Sequence, residues 1–505
     1  MTTHSDRPSA RLWRDRRFST YWVGDAVSTL GDRISELALP LIAVTMLQAG
    51  PAEVGLLVAA VWAPNLLSVV VGAWVERQPS KKRLMIIANL IQAAGIISLP
   101  IAHVVAGVTL PHLFAAALIQ GSGGVLYATA SQPFFVRMVP KESYVEANSL
   151  FSGTRSASFI AGPAFGGALI QAVTAPVAMV VDAASFLISA WTIKNVQIDE
   201  DRTEQSETSD TLLHRIGSGL RFVLGHPYLR PALSCVTTCN FFSFVLNAVL
   251  VLFASRILSL SPGSIGLAMG IGAVGGLLGA VLAGKLARRV GTGTAIAIGA
   301  VAFSAPFLFL PLASGSTVAR VATLASIQFV STAGVMLFDI NLNAVQTAVI
   351  PNRMRSRVTG VFGTINYGVR PIGAALGGLV AEQIGVATVI VEQPSAAPSR
   401  SCGWCAHPSS ASVASATSTT PIPKSKQSTQ MTTDPPPAAA EGRCQAGGRH
   451  PGDRQVSTLR QADDGGEPDC PRAVSPEQDG SERSLNPRRQ RTSRPRVRSR
   501  PKGKV

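Results

Sequence analysis

The sequence predicts an all-α membrane protein: two six-helix bundles related by a pseudo-two-fold axis along the membrane normal, with helix 12 truncated and a disordered C-terminal tail. Three observations predict it. Of 505 residues, 47% are hydrophobic and only 15% charged, and the apolar residues come in blocks of about 20, which at a rise of about 1.5 Å per residue cross about 30 Å of hydrocarbon. The blocks repeat at an offset of about 211 residues, the length of a six-helix unit. Lys and Arg gather on alternate loops, as the positive-inside pattern requires.

Taken in order, the apolar blocks place spans at about 18–48, 53–75, 83–105, 112–137, 147–173 and 175–194, then at about 230–256, 263–284, 292–313, 318–350 and 358–384. Residues 1–17 form a polar, basic N-terminus, and the first apolar run is too long for a signal-peptide core, so the first span itself directs insertion. The acidic, hydroxyl-rich segment 195–229 reads as a cytoplasmic connecting loop between an 18–194 bundle and a 230–391 bundle. Arg77, Lys81, Lys82 and Arg83, Arg137 and Lys141, Lys285, Arg288 and Arg289, and Arg353, Arg355 and Arg357 share the side of the N-terminus. Only Arg256 and Arg320 fall opposite. This places the N-terminus in the cytoplasm and the chain in the inner or plasma membrane. The net charge of +16 is then topology plus a basic tail, and nucleic acid is not a partner. Cys235 and Cys239 share one apolar face as small hydrophobes, and neither disulfide nor metal is expected.

The repeat is visible residue by residue. Pro140, Phe151, Gly162, Ala164, Gly166 and Gly167 recur as Pro351, Phe362, Gly373, Ala375, Gly377 and Gly378, and Gly72 with Arg77 recurs as Gly284 with Arg289. Parallel six-helix repeats joined by a long loop rock about a cavity at the midplane. With these features the chain resembles the major facilitator superfamily over about residues 10–390. The loop from Gly72 through Glu76, Arg77, Pro79, Lys81 and Lys82 to Arg83 is similar to that family's signature loop, with Glu76 where Asp and Pro79 where Gly is usual. Gly31-Asp32, the run Val181 to Phe186 and the run Arg357 to Gly360 resemble the enterobactin-exporter and macrolide-efflux branch. The resemblance implies proton-driven export of a drug, siderophore or other small apolar metabolite by alternating access, with small molecule, protons and bilayer as partners, no cofactor, no catalysis and a monomeric carrier.

Ionisable residues inside spans cost about 2.5–3.5 kcal/mol each at a helix centre, so each needs a reason. Asp25, Asp32 and Glu36 lie seven and four residues apart, which sets them on one helical face. Asp32, near the midplane, is the leading proton-coupling candidate; the structural alternative is neutralisation by Arg33, although Arg33 projects about 100° away. Arg155 with Asp182, and Asp339 with Arg370, sit at matching depths in adjacent antiparallel spans and read as buried ion pairs of gating or structural role. Substrate contact stays open for Arg370. In the signature loop, Gly72, Glu76, Arg77, Lys81, Lys82 and Arg83 read as a gating charge network, against the plain alternative of topology determinants. Gly162, Pro163, Gly166 and Gly167 read as a helix-packing surface.

Two motifs are set aside. Gly270-x-Gly272-x-x-Gly275 matches a dinucleotide fingerprint by letters alone, inside an apolar helix, and Cys402-Gly-Trp-Cys405 has no strand–helix context. After Val391 the composition turns to Pro, Ser, Arg and Gly, and residues 392–505 are expected to be disordered. Two readings of them stand: out-of-frame sequence replacing the twelfth helix, or a native basic tail. The rivals to export are a small-solute uptake carrier and an inactive membrane remnant lacking helix 12.

Overall fold

The computed structural model describes residues 12–197, 212–351 and 354–396. All of these fall within one compact unit, and every regular element among them is helical. The helices are α1 (Arg16–Leu41), α2 (Pro51–Trp62), α3 (Ser68–Glu76), α4 (Lys81–Val105), α5 (Leu110–Met138), α6 (Tyr144–Val173) and α7 (Ala175–Asn195). The second half holds α8 (Leu212–Gly225), α9 (Leu229–Leu252), α10 (Pro262–Val290), α11 (Thr292–Ser304), α12 (Thr317–Val349), α13 (Arg355–Ile384) and α14 (Val386–Ala396). A tight 3-10 turn, Ala63–Leu67, joins α2 and α3 into one span. Pro64 stands inside that turn, where its missing N–H breaks the α-helical ladder.

Among the described residues, nine helical stretches are long and apolar enough to cross a membrane, and α13 with α14, bent by 119° at their junction, gives a tenth. The sequence predicts eleven, and the difference is α1. It carries Asp25, Asp32, Arg33 and Glu36, which take it off an apolar count, yet it packs between α6 and α7. The connector differs too. Within 195–229 the structure forms α8, which packs on α13 and sends Val223 into the core. Arg357 of α13 donates to Ser218 Oγ of α8 at 3.1 Å.

Backbone detail reproduces the repeat. The span containing α1 ends in a π-turn at Ile42–Met46, and the one containing α9 ends in a π-turn at Phe253–Ile257. Gln48 and Ser259 just beyond each take φ of 52°. Pro51 and Pro262 each stand at the first position of the next helix, where a proline costs no hydrogen bond. The two halves meet through α2 with α13 and α6 with α10. Glycines permit that approach: a Cβ on Gly378 would lie 2.5 Å from the Pro51 carbonyl, and one on Gly266 would lie 2.2 Å from the Pro163 carbonyl.

The core is divided by depth. At the end away from the N-terminus one apolar cluster joins both halves, with Leu41, Ile42 and Val44 meeting Val251, Leu252 and Phe253. Toward the N-terminal end the clusters separate, one around Leu233 and Phe362 and two around Phe134 and Phe18. The halves are therefore closed together at the far end. Arg256 adds to that closure by donating to the Val44 carbonyl at 3.2 Å.

The sixth helix of the second half is short. Its counterpart α7 is 21 residues long and packs along α1 and α4, whereas α14 has 11 residues and touches α9, α13 and the turn after α11. Cys235 is disulfide-bonded, which overturns the expectation of no disulfide, and Cys239 is buried. Gly272, Gly275 and Gly279 press against Gln328, Phe329 and Ala333 of α12, which makes the false fingerprint a helix-packing surface. Residues 397–505, with Cys402 and Cys405, lie outside the described residues.

Candidate functional site

The carboxylates of α1 fall into three different environments. Asp25 is buried and accepts from the Tyr127 hydroxyl of α5 at 3.2 Å. Asp32, one face-repeat further on, is half-buried, and the charges acting on it are those of Asp182, Glu36, Arg33 and Asp25. Glu36 is exposed and accepts from Arg33 Nη1 at 2.7 Å, the one ion pair among the described residues. Arg33 thus answers Glu36, one turn away on its own helix, and leaves Asp32 without a direct partner.

Asp182 of α7 is fully buried. Its carboxylate accepts from the Ser35 hydroxyl of α1 and from the Ser185 hydroxyl at 3.1 Å. Gly31 makes room for it, since a Cβ there would lie 2.5 Å from Asp182 Oδ1. The expected Arg155–Asp182 ion pair is not formed. Arg155 is exposed on α6, and its charge acts on Asp25 and Tyr21. Arg155 is exposed while Asp182 is fully buried, so similar positions along adjacent helices do not bring the two together.

The Asp339–Arg370 pair is corrected likewise. The two act on each other electrostatically, but they form no contact within 4.0 Å. Arg370 instead lies among three rings, 4.6 Å from the centroid of Trp62, 5.1 Å from Phe244 and 4.4 Å from Tyr367.

Among the described residues the signature loop's charges form no ion pair with one another. Lys81 is buried and donates to the carbonyls of Val75 at 2.7 Å and Glu76 at 3.1 Å, capping the C-terminus of α3. Lys82 donates to the Val196 carbonyl at 2.7 Å, just past the end of α7. Cations satisfy the orphan carbonyls of a last helical turn in this way. Glu76, Arg77 and Arg83 are exposed and make no ion pair. A Cβ on Gly72 would lie an ordinary 3.6 Å from Thr129, so there is room for a methyl group. In the packing surface, Gly162 and Gly166 face Arg33 and Ile34 of α1, while Pro163 and Gly167 face Gly266 of α10.

A cavity of about 520 Å³ lies between the halves. Arg33, Ser35, Glu36 and Trp62 line it from the first half, and Phe244 and Arg370 from the second. That volume suits a drug-sized molecule. Ser35 joins the cavity wall to the buried Asp182. Ser35, Phe159, Trp62, Phe244 and Tyr367 were not singled out from the sequence, because an aromatic or serine in an apolar helix carries no mark of which way it faces. The repeat held part of the signal: Arg33 and Phe159 recur as Phe244 and Arg370 at the same offset of about 211 residues. No cluster of three or more His, Cys, Asp or Glu suited to a metal occurs among the described residues.

Comparison with known proteins gives the same architecture. The bacterial homologue of the iron transporter ferroportin, in its inward-facing state, aligns with a TM-score of 0.60 at 17% identity, covering 78% of this chain and 99% of that one. The nucleoside transporter NupG aligns at 0.61 and 14%, covering 80% and 100%. In sequence, the MFS-type transporter YfiS of Bacillus subtilis is 24% identical over 387 residues, 74% of this chain and 89% of that one. The multidrug efflux pump Tap of Mycolicibacterium fortuitum is 25% identical over 338 residues, 64% and 79%. The model of the Major Facilitator Superfamily matches residues 21–374, and with paired helical halves closing on a central cavity, the chain belongs to that superfamily as a multi-pass membrane transporter.

Proposed function

We propose that the chain is a secondary exporter of drug-like molecules, driven by protons through alternating access, with its N-terminus in the cytoplasm. The observation that carries this reading is the link from cavity to buried acid: Ser35 lines the cavity and donates to Asp182, which acts electrostatically on Asp32. Two carboxyls that share a site and lack a paired cation can hold one proton between them and release it as their surroundings change. Arg33, the nearest cation, is committed to Glu36. With the N-terminus inside, closure at the far end is the state open toward the cytoplasm, in which a substrate for export enters. The likeness to a multidrug efflux pump supports this direction. Glu76, Arg77 and Arg83 are then free to form their charge network when the cytoplasmic end closes.

The test is accumulation of lipophilic dyes in cells producing the chain and its Asp32→Asn variant. Lower accumulation than in control cells, abolished by an uncoupler and by Asp32→Asn, is the expected outcome. Lower accumulation that persists through both rules out proton coupling, and higher accumulation than control replaces export with uptake. The short α14 favours one further reading, an inactive remnant. It predicts flux only after a full sixth helix is restored.

A further inference from the structure

The two halves of the cavity carry a guanidinium–ring pair at repeat-equivalent positions, with cation and ring exchanged between helices. In the first half Arg33 of α1 lies 5.5 Å from the ring of Phe159 on α6. In the second, Phe244 of α9 takes the place of Arg33, and Arg370 of α13 that of Phe159, at 5.1 Å. The halves differ in what answers the charge. Glu36 pairs with Arg33, but at the position equivalent to Glu36 the second half has Asn247, which also lines the cavity.

Arg370 is therefore stacked but not hydrogen-bonded. Trp62, Phe244 and Tyr367 attract its positive charge through their faces, and rings accept none of the five N–H donors a guanidinium presents in its own plane. No oxygen among the described residues accepts from Arg370, its Nε is buried without a partner, and Asp339 stands beyond 4.0 Å. A guanidinium with clamped faces and an open edge is preorganised for a planar anion, which it takes through two parallel hydrogen bonds. Of the three rings, Trp62 and Phe244 also line the cavity.

We infer that the cavity selects amphipathic organic anions, binding a carboxylate or similar planar acid group at Arg370 and the flat apolar body against Trp62 and Phe244. This rests on the export reading and narrows its substrate class.

The test is equilibrium binding of two probes with one aromatic body, pyrenebutyrate and pyrenebutanol, to the full chain in lipid nanodiscs. Quenching of Trp fluorescence is the readout, with empty nanodiscs subtracted. The acid is expected to bind at least tenfold tighter than the alcohol. Arg370→Gln should remove that preference while leaving the alcohol's affinity within twofold, and Arg370→Lys, which keeps the charge without the planar fork, should fall between. Equal binding of the two probes to the unaltered chain overturns the inference with no variant needed. So does an acid preference that survives in Arg370→Gln. Binding needs no gradient, so the two readings fail separately. A chain with the preference but no flux loses the export reading alone, and one that exports dyes with no preference for the acid loses this inference alone.

Discussion

Asp182 shows what a single buried acid needs. It is sealed between α1 and α7 with hydroxyl donors only, and Gly31 supplies the space. Asp182→Asn keeps an oxygen that accepts from Ser35, so folding should change little, while a group that cannot release a proton should end uncoupler-sensitive export. Asp182→Leu strands the Ser35 hydroxyl and should cost about 1–3 kcal/mol. Thermal unfolding in detergent, run beside transport, separates the two effects. Glu36 is different. It is more than half exposed, with a relative side-chain exposure of 55%, and an exposed pair one turn apart contributes about 0–1 kcal/mol. Glu36→Gln should leave the unfolding temperature nearly unchanged, and a large drop would mean the pair is more protected than its exposure indicates.

Among the elements, α3 depends on Lys81. The ammonium sits under three carbonyls, those of Val75, Glu76 and Gln78, and Lys81→Met leaves them without that donor. The loss should be about 1–3 kcal/mol, with faster hydrogen exchange at the end of α3. A protein unchanged by Lys81→Met would show that water serves those carbonyls equally well. The helix pairs α6–α10 and α2–α13 depend on glycine at their crossing. Gly266→Leu puts a side chain where even a Cβ would lie 2.2 Å from a backbone carbonyl, so the far end cannot close as it does here. Spin labels on the first turns of α2 and α10 should report a longer distance in Gly266→Leu than in the parent, and an unchanged distance would show that the pair is not a closing surface. The glycine-rich pattern of α6 and α13 announced close packing from the sequence alone. Which helix each glycine met was not legible, because a stripe of small residues specifies closeness and not a partner.

For the whole molecule, the unequal sixth helices matter most. In the first half α7 fills the space along α1 and α4; in the second, the shorter α14 touches α9, α13 and the turn after α11. Extending α14 beyond Val391 with about ten apolar residues, to the roughly 20 that a span requires, should raise thermal stability and restore any missing export. A stable, transport-competent parent that gains nothing from the extension would show that the short helix suffices.

The apolar blocks and the six-helix repeat were legible in the sequence, since bilayer thickness fixes the length of an apolar block and duplication fixes its order, whereas helix α8 inside the connector was not. Even the exchange of Arg33 and Phe159 for Phe244 and Arg370 was written there. What only the tertiary structure decided is which charges meet. Arg155 is exposed where Asp182 is buried, Arg370 stacks on rings contributed by three helices, and Lys81 turns inward to cap a helix end. Depth along a span is a one-dimensional property that residue number nearly supplies. Rotation about the helix axis, and the neighbour it finds, is set by how all the helices pack at once, and no local run of residues contains it.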